Sequence, residues 1–245
     1  MNFPFKVEPF SEDNNGRLSW RFLGNHLLRC ASLHAGTLGF GYENVEQNHR
    51  AWVLSRLVIE LESMPRTGQD YSIDTWVASV YRQFTDRHFS ILSPRGEAFG
   101  YAASVWALID IDSRQPIDLA SLPGSGIAAE GGRQPLPIAP FGRIRVKQGE
   151  PVHTLTARYS DLDINGHVNS IRYVEMVLDL FSETLAQGGR VKRIEMAYCT
   201  ESYLGDRLAL YLEPGEGRRQ VEIRKAQPDG QPDIVVVKAA VEISR

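Results

Sequence analysis

Two stretches, "RLVIELESMPRTGQDYSI" (residues 56–73) and "RIEMAYCTESYLGDRLAL" (residues 193–210), carry the reading that decides the fold. Setting Arg56 on Arg193, an offset of 137, puts Gly68 on Gly205, since 68 + 137 = 205. Each stretch is a run rich in strand-forming residues, then a turn containing glycine, then a second such run. One pattern of elements recurring at a fixed spacing predicts two half-chains built on a common plan.

The same order of elements extends outward on both sides. In the second half Ile171, Val174, Leu178, Phe181 and Leu185 recur at helical spacing, with Gly188-Gly189 closing the run. Tyr173, Met176, Val177 and Leu180 widen the apolar stripe, so a continuous helix buried on most sides is expected. The first half offers "WRFLGNHLLRCASLHAGTLGFG" (20–41), with Leu23, Leu27, Cys30 and Ala31 on one face. Strand-like runs follow each helix: "AWVLSRLVIELE", "YSIDTWVASV", "RHFSIL" and "YAASVWALIDI" in the first half. In the second they are "HTLTARYS", "VKRIEMAYCTES", "RLALYLE", "RQVEIRK" and "DIVVVKAAVEIS", with turns at Pro214-Gly215 and Asp229-Gly230. A helix followed by four or five strands leaves too few helices for parallel crossovers, so an α+β fold of antiparallel sheets is expected, each with one helix on its face. Six prolines between 112 and 151, together with "GSG" and "GG", read as connecting chain. The expected organisation is residues 1–122, a linker over 123–150, and residues 151–245.

Bulk composition excludes several classes of function. The chain has 245 residues, 42% hydrophobic and 23% charged, ordinary globular values. With 27 Lys+Arg against 30 Asp+Glu there is no general attraction to nucleic acid or to anionic membrane. Cys30 and Cys199 lie far apart and outside any metal-ligand spacing, so a reducing cytoplasm is expected, with no metal and no cofactor. The start, "MNFPFKVEPFSEDNNG", has no basic-then-apolar signal, and no segment is long enough to span a membrane, so no stable membrane insertion is expected.

The densest polar stretch is "YSDLDINGHVNS" (159–170), just ahead of the second helix. Asp163, Asn165 and His167 stand at i, i+2 and i+4, a spacing that lets an extended or turning segment present them on one side. Aspartate and asparagine before a helix are also ordinary capping and turn residues. Unpaired backbone N–H groups point outward at a helix N-terminus, so the amides of His167 and Val168 are candidate donors to a substrate carbonyl. The offset of 137 sets Glu201 against Met64, since 64 + 137 = 201. Glu201 reads either as a solvent-facing strand residue or as a carboxylate in mid-strand whose burial favours its protonated form, as a general base requires.

"YSDLDINGHVNSIRYVEMVLDLF", "WVLSRLVIELESMPRTGQDYSIDTWV" and "ASVWALIDI" together resemble the acyl-acyl-carrier-protein thioesterases, most specifically in "DLDINGHVN". The resemblance implies two tandem hot-dog domains, each an antiparallel sheet wrapped around a long central helix, with the second half catalytic and the first shaping the acyl pocket. It implies hydrolysis of the thioester that joins a fatty acyl chain to the phosphopantetheine arm of acyl carrier protein, ending chain elongation. The catalytic residues it implies are Asp163, Asn165, His167 and Glu201. Glu201 would take a proton from water, alone or with His167; Asn165 and helix N-terminal amides would hold the carbonyl or the water, and Asp163 would orient the group. Which of Glu201 and His167 activates the water, and whether Glu201 instead forms a covalent anhydride, stay open. A monomer or homodimer is expected, since two hot-dog domains in one chain already imitate the usual dimer.

This chain departs from the family at Ser202, where the plant enzymes have cysteine, and at Ser170, where asparagine is usual. A thiol mechanism then rests on Cys199, two residues from Glu201, which reads more readily as a small buried core residue. His26, His34, His49, His88 and His153 have no paired spacing and read as surface or structural histidines. Trp52, Trp76 and Trp106 fall in strands and read as core or as lining of an acyl pocket. "GRIRVK" (142–147), "GGRVKR" (188–193) and "GRR" (217–219) read as basic surface runs, open to steering by an acidic carrier. A thioesterase for acyl-coenzyme A, a hot-dog dehydratase and a non-catalytic acyl-binding protein are the alternatives.

Overall fold

Strands β1 (Asn2–Lys6), β2 (Arg50–Leu61), β3 (Asp70–Val80), β4 (Phe84–Leu92) and β5 (Ala98–Asp110) pair antiparallel in the order β1-β3-β4-β5-β2. They belong to the first of two units, Met1–Ala139 and Pro140–Arg245, into which the computed structural model of the chain divides. The residues described are 1–121, 127–147, 149–213, 215, 217–227 and 231–244, with Glu43 and Asn44 described by their backbone alone. Helix α1 (Trp20–Thr37) packs on β3. It starts where the Ser19 hydroxyl accepts from Phe22 N, a cap that satisfies one otherwise orphaned donor. Leu23, Leu27, Cys30, Ala31 and His34 form its buried face, at the spacing expected of one side of a helix. Ile73, Thr75, Val77, Phe89 and Ile91 are buried on β3 and β4. Truncating Leu23 or Leu27 to alanine in such a core costs about 2–5 kcal/mol.

Strands β6 (His153–Thr156), β7 (Arg190–Tyr198), β8 (Arg207–Glu213), β9 (Arg218–Lys225) and β10 (Ile234–Ser244) pair antiparallel in the order β6-β8-β9-β10-β7. Replacing each strand by its counterpart reproduces the first unit's order, so the repeat inferred at an offset of 137 is a repeat of topology. Gly68 and Gly205 both adopt positive φ, at +82° and +87°.

In detail the structure departs from expectation. The second helix is not continuous: it runs as α3 (Ser170–Asp179) and α4 (Ser182–Ala186), set apart by Leu180 and Phe181. The Ser182 hydroxyl donates to the Asp179 carbonyl at 2.6 Å, a side-chain bond that competes with the helical ladder. Strand β1 and a short helix, α2 (Tyr42–Gln47), carried no recognised signal. The expected turns at Pro214-Gly215 and Asp229-Gly230 include Pro214, Asp229 and Gly230, which lie outside the described residues, as do Pro123 and the "GSG".

Much of the described chain between the sheets is fastened down. Glu130 N donates to Val77 O at 2.9 Å and its carboxylate accepts from Val77 N at 3.0 Å. Arg133 bonds Asp74 at 2.7 Å. Within the second unit Gly142 N donates to Glu195 Oε2 at 2.6 Å and Arg145 N to Gln220 at 2.7 Å.

Candidate active site

The chain enters α3 through a turn built almost wholly on Asp161 and Asp163. The buried Asp161 carboxylate accepts from Arg158 N and from Arg172 Nε, both at 2.7 Å, which ties the turn to the first helical turn of α3. Asp163 Oδ1 accepts from Asn165 N at 2.8 Å and from His167 N at 3.2 Å. Asp163 N donates to His167 O at 2.8 Å, and Gly166 N to Asp163 O at 3.0 Å. Gly166 sits at φ +75°, a conformation that glycine adopts without steric cost. The turn is closed by Val168 N, which donates to Ser202 O at 2.8 Å.

These bonds overturn one expectation. The amides of His167 and Val168 are already spent on Asp163 and Ser202, so neither is a donor for a substrate carbonyl. The helix N-terminus proper is capped by the Asn169 side chain, which accepts from Ile171 N at 2.8 Å. Asp163 orients the group through backbone amides, and Asn165 stands at the exposed tip of the turn.

A second expectation fails at Glu201. Strand β7 ends at Tyr198, and Glu201 lies in the loop before β8, so it is not a mid-strand carboxylate facing a helix. Its side chain is 29% exposed and that of His167 is 23% exposed. The structure brings these two together: His167 Nε2 stands 3.7 Å from Glu201 Oε2. That separation is too long for a strong direct hydrogen bond and leaves both atoms able to face a water. Sequence reasoning missed Tyr203, whose hydroxyl donates to the same Oε2 at 3.0 Å. Its ring stands edge-on to the His167 ring, centroids 5.0 Å apart, and its backbone pairs with His167 in an isolated antiparallel bridge. The available signal was its place two residues beyond Glu201, where extended chain returns to the same side. Lys225 Nζ donates to Glu201 O at 2.8 Å and lies 3.5 Å from Asp206, which fixes the loop from below.

Between these two residues Ser202 turns inward and is fully buried, its hydroxyl beside that of Tyr173 on α3, though without a well-formed hydrogen bond. Burial pushes the Tyr173 phenol up to about 12, so it stays neutral. Cys199 is exposed rather than buried, with Sγ directed at Ala197 O 3.8 Å away. Cys30 is the buried thiol, pushed up to about 12 by burial and so unreactive.

The first unit holds a copy of this turn. Asp13 Oδ1 accepts from Asn15 N at 2.8 Å and Arg17 N at 3.0 Å, and Gly16 sits at φ +67°. Arg17 bridges to Arg66 as His167 does to Tyr203. The counterparts of His167, Glu201 and Tyr203 are therefore Arg17, Met64 and Arg66.

The basic runs are surface only in part: Arg143, Arg145, Lys147 and Arg190 are exposed as expected, whereas the Arg193 end is not. Arg193 is buried, and it and Arg218 both bond Glu195 Oε1 at 3.1 Å. Burial opposes the Glu195 charge, but the Gly142 amide and the two guanidinium groups outweigh it and hold the carboxyl below its ordinary range. Arg219 lies over the Phe181 ring and Lys147 pairs with Glu213. Of the other histidines His34 is buried, its Nδ1 2.7 Å from Arg87 Nη1 and its Nε2 3.4 Å from Glu130. Among the described residues no group of three or more His, Cys, Asp or Glu is placed to hold a metal ion, and no helix is long and apolar enough to cross a membrane.

Comparison with known proteins agrees with this plan. Residues 2–121 match the model of the acyl-ACP thioesterase N-terminal domain and residues 145–240 that of the C-terminal domain. An acyl-ACP thioesterase from Bacteroides thetaiotaomicron superimposes with a TM-score of 0.89 at 45% identity, over 100% of this chain and 97% of that one. The 12:0-ACP thioesterase of Umbellularia californica shares the fold, with a TM-score of 0.82 at 18% identity. Among plant relatives, the chloroplastic palmitoyl-acyl carrier protein thioesterase of Arabidopsis thaliana is 26% identical over 72% of this chain and 46% of that protein. The oleoyl-acyl carrier protein thioesterase 1 of the same plant is 25% identical over 82% of this chain and 60% of that protein. This chain thus spans roughly half the length of the plant relatives it matches. Each unit is a hot-dog fold, and the chain belongs to the acyl-ACP thioesterase family.

Proposed function

We propose that the protein hydrolyses the thioester of fatty acyl-acyl carrier protein, releasing free fatty acid and so ending chain elongation. One observation carries the reading: a carboxylate, Glu201, and an imidazole, His167, meet 3.7 Å apart with part of each open to solvent. Glu201 takes a proton from a water, and the resulting hydroxide attacks the thioester carbonyl carbon. As the tetrahedral intermediate collapses, the carbon–sulfur bond breaks and the proton held by Glu201 goes to the departing thiolate. With the His167 and Val168 amides engaged elsewhere, the side-chain donors left for the oxyanion are the His167 ring N–H and the Asn165 amide. Asp163 holds the turn that presents both. The first unit has Arg17 and Met64 where the second has His167 and Glu201, which supports a non-catalytic, acyl-accommodating part for it.

The partner in this reading is acyl carrier protein with a phosphopantetheine-linked acyl chain, and the enzyme works as a monomer or homodimer. An exposed thiol at Cys199 supports a reducing cytoplasmic setting. The test is release of free thiol from acyl carrier protein thioesters of graded length, run beside the same acyl groups on coenzyme A. Faster turnover on the carrier protein, lost in Glu201→Ala and Asn165→Ala, is expected. Equal or faster turnover of acyl-coenzyme A, or an enoyl product without free thiol, would overturn the assignment.

A further inference from the structure

Three side chains that meet at this site, His167, Glu201 and Tyr203, differ from their first-unit counterparts, and only His167 and Glu201 have a part in the reaction proposed above. The third is Tyr203. Its hydroxyl donates to Glu201 Oε2 at 3.0 Å, the oxygen that also faces His167 Nε2 at 3.7 Å. Its ring meets the His167 ring edge-on, and the Lys225 ammonium lies 5.5 Å from its centroid. The bridge between His167 and Tyr203, a residue 46% exposed, fixes the backbone from which the phenol reaches Glu201. The equivalent bridge in the first unit joins Arg17 to Arg66, and Met64 there offers no carboxylate for a phenol to hold.

We infer that Tyr203 is a positioning residue for the hydrolysis: its hydroxyl holds the Glu201 carboxylate against His167 and favours the ionised form that accepts a proton from water. A hydrogen-bond donor on a carboxylate oxygen stabilises the charged form, and the 3.7 Å gap between Oε2 and His167 Nε2 still admits a water. The ring covers one side of the imidazole and limits its rotation. This rests on Glu201 being the base, so the test must separate the two claims.

The discriminating variant is Tyr203→Phe, which removes one oxygen atom and keeps the ring against His167. Free-thiol release from an acyl carrier protein thioester, followed across pH, should show kcat lowered roughly 3- to 10-fold with KM within about twofold. Loss of the donor disfavours the ionised carboxylate, so the acid limb of the profile should move up by about half to one pH unit. Glu201→Gln, measured in parallel, is expected to be inactive at every pH. An inactive Glu201→Gln together with a Tyr203→Phe profile that overlays wild type, or that falls in height without moving along pH, would overturn the inference about Tyr203 and leave the base in place. A fully active Glu201→Gln would overturn the reading of the site itself.

Discussion

The turn at Asp13–Arg17 and the turn at Asp163–His167 have nearly the same backbone and opposite prospects. Both place an aspartate Oδ1 on the amides two and four residues ahead, both have asparagine at the third position, and both pass through a glycine at positive φ. One presents His167 to Glu201 and Tyr203, whereas the other has Arg17 with Met64 and Arg66 at the matching positions. The first unit therefore serves as an internal control. On the proposed reading the backbone of the two turns is shared scaffolding, with an asparagine common to both, and the chemistry requires the His167 and Glu201 that the first turn lacks. Asp163, the most suggestive residue of the motif, has a counterpart in Asp13, which makes the same backbone bonds where Met64 replaces Glu201.

The comparison breaks most visibly at position 167. Replacing His167 by arginine, the residue of the first turn, should lower kcat on acyl carrier protein thioesters by roughly 100-fold or more, and Arg17→His in the first unit should leave it unchanged. A steady-state assay of the two variants decides the matter, and equal losses in both would make the turns functionally equivalent. The aspartates sharpen the contrast at smaller scale. Asp13→Ala and Asp163→Ala each strip the acceptor from two backbone amides and should each lower stability by about 1–2 kcal/mol in denaturant melts. Only Asp163→Ala should also slow turnover, and Asp163→Asn, which keeps an oxygen at Oδ1, should restore most of both.

Acid separates the two units more gently. Burial, and after it the Arg87 guanidinium, pull His34 below its ordinary value of 6.5, and burial pulls His26 and His88 the same way. Below about 6.5 the unfolded chain gains protons that these folded histidines refuse, so their effect is absent at higher pH and stability falls as pH drops. Glu195 behaves oppositely: its depressed carboxyl adds stability above its ordinary 4.5, which is lost as pH falls further. Thermal melts between pH 7 and 5 should thus report the first unit's histidines before Glu195 responds, and His34→Gln should make the slope of Tm against pH shallower. An unchanged slope would remove His34 from that account.

Much of this was legible in the chain. The offset of 137 found two strand–turn–strand segments, and the sheets repeat the same strand order about them. The apolar face of α1 was readable because a helix repeats its side chains every three to four residues. The turn repeat was not found, because Asp13 and Asp163 lie 150 apart, 13 more than 137, and a search at one offset passes over them. "DNNGRLS" beside "DINGHVN" was the signal. Unbroken helical spacing of apolar residues from Ile171 to Leu185 hid the helix break, since nothing in that spacing registers a Ser182 hydroxyl on a carbonyl. Arg193 was read as surface from its basic neighbours, yet alternation along β7 puts it beside Glu195, on a buried face with Arg218. Glu201 was read as mid-strand because "YCTES" has strand-like composition, and only the pairing of β7 shows that the strand stops at Tyr198.

The most direct test of the central claim, that proton transfer belongs to Glu201 of the second unit, is kcat of Glu201→Gln on an acyl carrier protein thioester. Glutamine keeps the side chain's shape and an oxygen for the Tyr203 hydroxyl but cannot take a proton. A fall of at least about 100-fold in kcat with an unchanged melting temperature is the predicted result. A variant retaining turnover within about threefold of wild type would contradict it, since general-base catalysis contributes far more than that.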